Sequence, residues 1–191
     1  MANILGEPVF DAFTEGVSNG GLRSKSDIQL LICYLLRSFK GSAPVHILSD
    51  ALQSEELANY FDVMDAISEL AEHGNLTPEL IDGEEYISLT EKGQNAIALV
   101  ENDLPKSVRR IAKDSATHFL NLEKNLRENN IKIEPYKDGF HVSFTMNEQE
   151  TDLLTLTVFV PDRDQAEKLK NNFLENPVKV YSAILNSLME N

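Results

Sequence analysis

Apolar residues recur at helical spacing from Ser24 onward, after an opening segment in which they are scattered among glycines. The Ser-Lys-Ser-Asp run that begins at Ser24 fits a capping box, which marks the start of a helix, and Gly41 marks its end. Residues 1–23 are therefore predicted to be a flexible leader. The residues that the first helix is expected to bury share one face: Ile28, Leu31, Ile32, Leu35 and Leu36.

Two more helices are predicted directly after the first one. Pro44 suits the first position of a helix, since its missing N–H is not needed there, and a short helix is expected over residues 44–52. Asn59 is a suitable N-cap for a third helix, which is predicted to end near His73 and Gly74.

A hairpin and a fourth helix complete this part of the chain. Two short extended runs flank Asp82-Gly83, a dipeptide typical of tight hairpin turns. Thr90 then caps a helix in whose first turn Gly93 leaves room for close packing. The order helix, helix, helix, hairpin, helix predicts a winged-helix domain over residues 24–104.

Residues 105–130 are predicted to form one long helix that links this domain to the rest of the chain. Its apolar seam has the spacing of a coiled coil with one polar gap, which favours a dimerisation helix. The alternative is that the seam packs against the C-terminal sheet of the same chain. The seam consists of Val108, Ile111, Ser115, Phe119, Leu122 and Leu126.

Beyond Asn130 the apolar period changes to two, which indicates strands. A second hairpin is expected around Lys137-Asp138-Gly139, and the run DLLTLTVFV is expected to form a third, more buried strand. Two short helices follow, the first capped by Asp162 and Gln165. The first is expected to bury Ala166, Leu169 and Phe173, and the second to bury Val178, Tyr181, Ile184, Leu185 and Leu188.

The predicted fold class is therefore α+β. It combines an N-terminal winged helix, a linking helix, and a small antiparallel sheet backed by two helices over residues 131–191.

Four segments of the chain resemble, in this order, a bacterial family catalogued as a domain of unknown function (family 4364). They are DIQLLICYLL, LANYFDVMDAISELAEHGNL, DGEEYISLTEKG and LTVFVPDRDQAEKLKNNF, and the resemblance covers residues 24–190. Members of that family are often labelled winged-helix transcriptional regulators. The resemblance implies a winged helix joined to a small α+β part and no catalytic residues. The regulator label rests on the fold alone.

The distribution of charge opposes DNA binding by the winged helix. The whole chain carries a net charge of −14, and residues 42–104 hold fourteen acidic residues against Lys92 alone, a net charge of −13. Non-specific affinity for nucleic acid comes mainly from Lys and Arg that neutralise phosphates. DNA binding is therefore left open but is electrostatically disfavoured.

Acidic residues occupy the predicted recognition elements of the winged helix. On a helical wheel, one face of the third helix is apolar and the opposite face carries Asp62, Asp65, Glu69 and Glu72. The tip of the hairpin is acidic as well, with Asp82, Gly83, Glu84 and Glu85. Three interpretations remain: a solvated helix face, a docking surface for a basic protein partner, or direct reading of bases by carboxylates.

The positive charge of the chain is concentrated on the long helix. Residues 105–130 contain six basic and three acidic residues, and four of the basic ones form a stripe at helical spacing. The stripe is a candidate contact for phosphate or for a second subunit, or a solvated face beside the apolar seam. A homodimer is expected. The four residues are Lys106, Arg109, Arg110 and Lys113.

No catalytic or metal-binding motif is found in the sequence. The four histidines are widely spaced and match no metal-ligand pattern, and there is no glycine-rich phosphate loop. The single cysteine, Cys33, lies in an apolar run and is expected to be buried. We expect no enzymatic activity and no cofactor. The sequence shows no signal peptide and no membrane-spanning run, so a cytoplasmic protein is expected.

Two hypotheses about function follow. The first is a dimeric transcription-associated regulator, which the family label and the predicted fold favour. The second is a winged helix used for protein–protein contact through its acidic third helix, which the charge distribution favours. A third, weaker option is a small ligand held by the C-terminal sheet.

Overall fold

The computed structural model describes residue 22 and residues 24–40, 42–100, 103–148 and 151–190. The predicted flexible leader lies outside these residues except for Leu22, and so does Gly41, the predicted end of the first helix. Within the described part, none of the helices combines the length and the apolar content needed to cross a membrane.

The chain divides into two compact units, Met1–Phe119 and Leu120–Asn191. The described elements before the second sheet are α1 Lys25–Ser38, β1 Ser42–Pro44, α2 Val45–Ser54, α3 Tyr60–Glu72, β2 Leu76–Ile81, β3 Glu84–Leu89, α4 Glu91–Val100 and α5 Lys106–Glu128. The remaining ones are β4 Asn129–Tyr136, β5 Gly139–Glu148, β6 Thr151–Val160, α6 Arg163–Glu175 and α7 Pro177–Met189. The division between the units falls within α5.

Polar side chains start three helices where the sequence predicts. Ser24 Oγ, Asn59 Oδ1 and Asp162 Oδ1 each accept a hydrogen bond from the backbone N–H three residues further on, at 3.1, 2.9 and 2.8 Å. Each side chain satisfies an amide that would otherwise have no partner at the helix end. The predicted starts of α1, α3 and α6 are therefore confirmed. The second helix differs slightly, since Pro44 lies at its N-cap rather than at its first position.

The sheet of the first unit is three-stranded, in the order β1-β3-β2, and both pairs are antiparallel. The predicted hairpin at Asp82-Gly83 is present. Both residues have positive φ (53° and 85°), as a two-residue type I′ turn requires. The sequence did not predict β1, because three residues ending in proline are too short to show a period of two.

The core of the first unit collects the apolar faces of α1 to α4 and the first half of α5. In α5, Ala112 and Ala116 are fully buried, and Val108, Ile111 and Phe119 pack against the same core. The predicted seam is therefore occupied, up to Phe119, by the chain's own first unit. Neither the dimer contact nor the C-terminal sheet that the sequence suggested is needed to cover it.

Thr90 caps α4, as the sequence predicts, and it also contacts the turn that follows α3. Its Oγ1 accepts a hydrogen bond from the backbone N–H of Gly93 (3.1 Å) and lies 2.9 Å and 3.0 Å from the carbonyl oxygens of Gly74 and Asn75. Gly93 is buried against the same turn. A Cβ at position 93 would lie 2.3 Å from the Asn75 carbonyl oxygen. The absence of a side chain is what allows this close approach.

The second unit is an antiparallel sheet in the order β4-β5-β6, with α6 and α7. The inner face carries Val142, Phe144 and Val160, which pack with Ala166 and Phe173 of α6. The expectation that DLLTLTVFV forms a third strand is confirmed, but the expectation that it is more buried than the strands before it is wrong for β5. The central strand is β5, and β6 is an edge strand whose residues are mostly exposed or half-buried.

The expectation for α7 is also largely wrong. Val178, Leu185 and Leu188 were expected to be buried, but all three are exposed, and Tyr181 and Ile184 are only half-buried. The pattern correctly predicted an amphipathic helix. It could not show that the apolar arc of the helix is wider than the surface that covers it.

Candidate functional site

The exposed side of α3 begins with two aromatic residues that follow its N-cap. Tyr60 is 49% exposed and Phe61 is 77% exposed, and their rings are arranged edge to face, 5.6 Å apart. Solvated aromatic rings at the centre of a surface are typical anchors in protein–protein contacts. Neither residue belongs to the charge pattern that marks α3 in the sequence. A helical wheel would have found Phe61, since it lies opposite the buried Val63, Ile67 and Leu70.

Asp62, directly after the aromatic pair, is fixed by the N-cap residue. Asn59 Nδ2 donates to Asp62 Oδ2 at 2.8 Å, while the Asp62 backbone N–H donates to Asn59 Oδ1. Partial desolvation raises the pKa of the Asp62 carboxyl, and the neighbouring carboxylate of Asp65 raises it further. A carboxylate near the helix N-terminus is also favoured by the helix dipole.

Glu69 is held by α1 rather than pointing freely into solvent. It forms an ion pair with Lys25, and Gln29 Nε2 donates to its second carboxylate oxygen at 2.8 Å. The hydrogen bond from Lys25 lowers the pKa of the Glu69 carboxyl, and the same bond raises the pKa of the Lys25 ammonium group. Of the four predicted acidic residues, Asp65 and Glu72 are exposed, while Asp62 and Glu69 are half-buried.

The tip of the β2–β3 hairpin is acidic, as predicted, and an exposed leucine lies beside the acidic residues. Asp82, Gly83 and Glu85 are exposed, and Glu84 Oε1 lies 3.0 Å from His46 Nδ1 of α2. Leu80 pairs with Glu85 across the hairpin, so both side chains lie on the same face of the sheet. Leu80 is 73% exposed there.

A cavity of about 220 Å³ lies between α2, α3 and β3 in the first unit. Its polar lining offers two carboxylates, an imidazole, a phenol and a hydroxyl, and none of its lining residues is lysine or arginine. Such a lining suits a cationic side chain with an aliphatic stem. The lining residues are Val45, His46, Ser49, Asp50, Tyr60, Met64 and Glu85.

Three of the four residues of the predicted basic stripe on α5 are exposed, and the fourth is half-buried. Lys106, Arg110 and Lys113 are exposed. Arg109 is half-buried, with its guanidinium carbon 5.7 Å from the centre of the Tyr34 ring of α1, and its buried Nε has no hydrogen-bond partner among the described residues. Arg109 therefore contributes to packing through a cation–π contact, and the exposed stripe has three residues.

The four histidines lie apart from one another along the elements, and each has a described neighbour. His73 is the C-cap residue of α3, His118 packs edge to face on Phe119, and His141 is stacked on Tyr136 at 3.8 Å between ring centres. His46 Nδ1 lies 3.0 Å from Glu84 Oε1.

Cys33 is buried in the first unit beside a second cavity, of about 170 Å³, between α1, α3 and α4. Burial raises the pKa of the Cys33 thiol to about 11. Because the thiolate is the reactive form, the folded protein holds its only cysteine in an unreactive state at neutral pH.

We expect Cys33 to react with a disulfide reagent at pH 8 about 100-fold more slowly in the folded protein than in denaturant, because less thiolate is present. In the native protein, the reaction rate should continue to increase with pH well above pH 9, because the thiolate fraction is still increasing there. The stability gained from the protonated thiol should fall as the pH rises above about 8.5, the usual thiol pKa, towards 11. Stopped-flow absorbance of the released thiol measures both rates. Equal rates in native and denatured protein would contradict the burial.

The protein is thus a mixed α+β chain with an acidic and aromatic surface on its first unit. The chain belongs to the family described as a domain of unknown function, DUF4364, whose family model matches residues 28–188. No curated protein and no solved structure matches the chain significantly.

Proposed function

We propose that the first unit is a winged helix that binds a protein partner and not DNA, and that it has no enzymatic activity. The order of α1, α2, α3, the hairpin and α4, together with the three-stranded sheet β1-β3-β2, supports the winged-helix assignment. In this assignment α3 is the recognition helix and the β2–β3 hairpin is the wing.

The proposal rests on the absence of positive charge from the elements of the first unit that would contact DNA. Between Ser42 and Glu91 the sequence contains no lysine and no arginine, although this segment includes α2, α3 and the hairpin. A DNA-binding winged helix needs cations on these elements, because phosphate contacts position the recognition helix in the groove. Carboxylates at the same places would repel the phosphates.

The same surface has the features of a protein-binding site. Tyr60, Phe61 and Leu80 provide exposed apolar groups, and Asp65 and Glu85 provide negative charge near them. A partner with exposed lysine or arginine beside an apolar patch would gain both burial and charge complementarity. A basic side chain of that partner fits the cavity between α2, α3 and β3.

A direct test compares two probes on the full chain. Fluorescence anisotropy of a labelled duplex of random sequence is expected to show no binding at low salt, where electrostatic attraction is strongest. A labelled peptide of alternating lysine and leucine is expected to bind, and to weaken as salt is added. Phe61→Ala should reduce peptide binding about tenfold, which is the usual effect of losing one aromatic anchor. Leu99→Ala on α4, where the side chain is 86% exposed, is the matched control.

The second candidate is a DNA-binding regulator that uses the exposed stripe of Lys106, Arg110 and Lys113. It predicts the opposite result: duplex binding that falls steeply with salt and is lost in Arg110→Glu with Lys113→Glu. Charge reversal at Arg109 would be a poor test, because that side chain packs on Tyr34. Salt-sensitive duplex binding that is unchanged by Phe61→Ala would therefore replace the first proposal with the second.

A further inference from the structure

The edge strand β6 of the second unit has one side on which no strand pairs with it. The sheet order is β4-β5-β6, so β6 is bonded to β5 alone. Among the described residues, its backbone makes no backbone hydrogen bond outside that pair. All its residues except Val160 are exposed or half-buried, so the open edge is accessible. A row of free N–H and C=O groups is a template for another strand.

The other three edges of the two described sheets carry features that oppose strand pairing. β1 has only three residues, and β2 contains Pro78. β4 contains Lys132 and Pro135. Short edge strands, lysine side chains and prolines, which lack a backbone donor, are the usual means by which proteins prevent pairing at an edge.

Most of β6 lacks these protective features. The strand has ten residues, without proline, lysine or arginine, and its single charged residue is Asp152 near its start. The register with β5 skips Leu153, next to that charge, so the regular part of the strand is 154–160. This regular part has no charged residue. It is therefore the edge segment of the described sheets that is best suited to accept a further strand.

The occupant that fits this edge is β6 of a second copy. The occupant has to be an extended strand, because only a strand can bond to a row of backbone groups. The uncharged segment offers nothing that would select a basic or an acidic partner. It also allows two chains that each carry a net charge of −14 to meet without opposed carboxylates.

An antiparallel pair with a two-fold axis at Thr157 uses the whole regular segment and keeps each face in register. On the inner face it sets apolar residues opposite apolar ones. Leu156 and Val158 pack against the core of the second unit but are only half-buried, because no strand lies beyond them. A second strand would cover them further. The cross-strand pairs are Leu154 with Val160 and Leu156 with Val158 on the inner face, and Thr155 with Phe159 and Thr157 with its own copy on the outer face.

We infer that β6 is a self-association edge, at which two copies of the chain pair antiparallel about Thr157 and join their three-stranded sheets into one sheet of six strands. This assigns the expected homodimer contact to the second unit and not to the seam of α5, whose first half belongs to the core of the first unit. The inference is independent of what α3 binds.

A cysteine at the two-fold axis tests the register. Thr157→Cys places two thiols directly opposite each other, at a distance that a disulfide spans. Mild oxidation should therefore give a disulfide-linked dimer on non-reducing gel electrophoresis. Thr155→Cys, also exposed and on the same face, is the matched control, because its two thiols would lie roughly 13 Å apart along the strands, too far for a disulfide. Cys33 is buried and does not compete.

A charge exchange at the same position tests the pairing without a cross-link. Thr157→Lys and Thr157→Glu each set like charges opposite each other, and each should weaken the dimer about fivefold. An equal mixture of the two variants should associate more tightly than either alone, since opposite charges then meet at the axis. Thr155→Lys, which would lie opposite Phe159, is the control and should have a smaller effect. Thermal unfolding checks each fold, because Thr157 Oγ1 also lies 3.0 Å from Ser143 Oγ.

Sedimentation equilibrium of the full chain between about 1 and about 100 µM, the range suited to a small interface, measures these affinities. A reversible monomer–dimer equilibrium is expected for the unchanged chain. A chain that stays monomeric throughout this range would overturn the inference. So would cross-linking of Thr157→Cys that does not exceed that of Thr155→Cys, or a dimer that both charged variants at position 157 leave intact, because the contact would then lie on another surface.

Discussion

Replacing Gly93 with alanine is expected to lower the free energy of unfolding by about 1–3 kcal/mol, the usual effect of forcing extra atoms into a packed site. The new Cβ would lie 2.3 Å from the Asn75 carbonyl oxygen and 2.9 Å from Leu89 Cδ1. The first obstacle is a backbone atom, which also accepts the backbone N–H of Thr90 (3.0 Å). Relief of the clash therefore strains the junction between α3 and α4.

The expected loss of stability is opposite in sign to the usual effect of this substitution, which makes the test decisive. Within a helix, glycine to alanine ordinarily stabilises by about 1 kcal/mol, because alanine has the higher helix propensity. Asn95→Ala, at an exposed position of the same helix, is the control and should be neutral or slightly stabilising. Urea denaturation followed by circular dichroism measures both variants. A neutral or stabilising Gly93→Ala would mean that the Asn75 carbonyl moves aside easily.

Local signals in the sequence predicted the elements of the fold well. Caps at Ser24, Asn59 and Thr90 and the Asp-Gly turn act within a few residues of where they stand, so the sequence alone reveals them. The order of helices and strands follows from these signals. The strand β1 was missed because its extended conformation depends on pairing with β3, a partner more than forty residues away.

Contacts between distant elements could not be predicted in the same way. The helical wheel places Glu69 with the other acidic residues of α3, yet its partners Lys25 and Gln29 lie on α1. The same wheel places Arg109 in the basic stripe, while the structure packs it on Tyr34. Sequence spacing gives the face of a helix, and only the packing of elements decides what that face meets.

The buried residues of α7 could not be predicted either, although its apolar pattern is clear. Periodicity tells which residues avoid water, but not whether the surface that covers them belongs to the same chain or to another one. The candidate site on α3 was predicted by its charge and was incomplete without its aromatic residues. Phe61 was overlooked because a single exposed apolar residue is common on protein surfaces and indicates nothing by itself. It indicates a binding surface only because Tyr60 and the cavity lie next to it.

Replacing Ala116 with leucine is expected to lower the free energy of unfolding by about 3 kcal/mol, the upper end of the usual range for overpacking. Ala116 is fully buried where α5 meets the core of the first unit. One position earlier, Ser115 Oγ lies 3.2 Å from the Ala51 carbonyl oxygen and 3.0 Å from Ser54 Oγ. These hydrogen bonds fix the distance between α5 and α2. Because of them, α5 cannot move away from α2 to make room for a larger side chain without breaking the bonds.

Ala98→Leu, the same change at an exposed position of α4, is the matched control and should alter stability by less than about 0.5 kcal/mol. Urea denaturation at two protein concentrations completes the test. If α5 packs within its own unit, the loss in Ala116→Leu is independent of concentration, because the disrupted contact is intramolecular. A loss that shrinks as the protein is concentrated would instead place Ala116 in a contact between two copies. That result would return the seam of α5 to the role of a dimer interface.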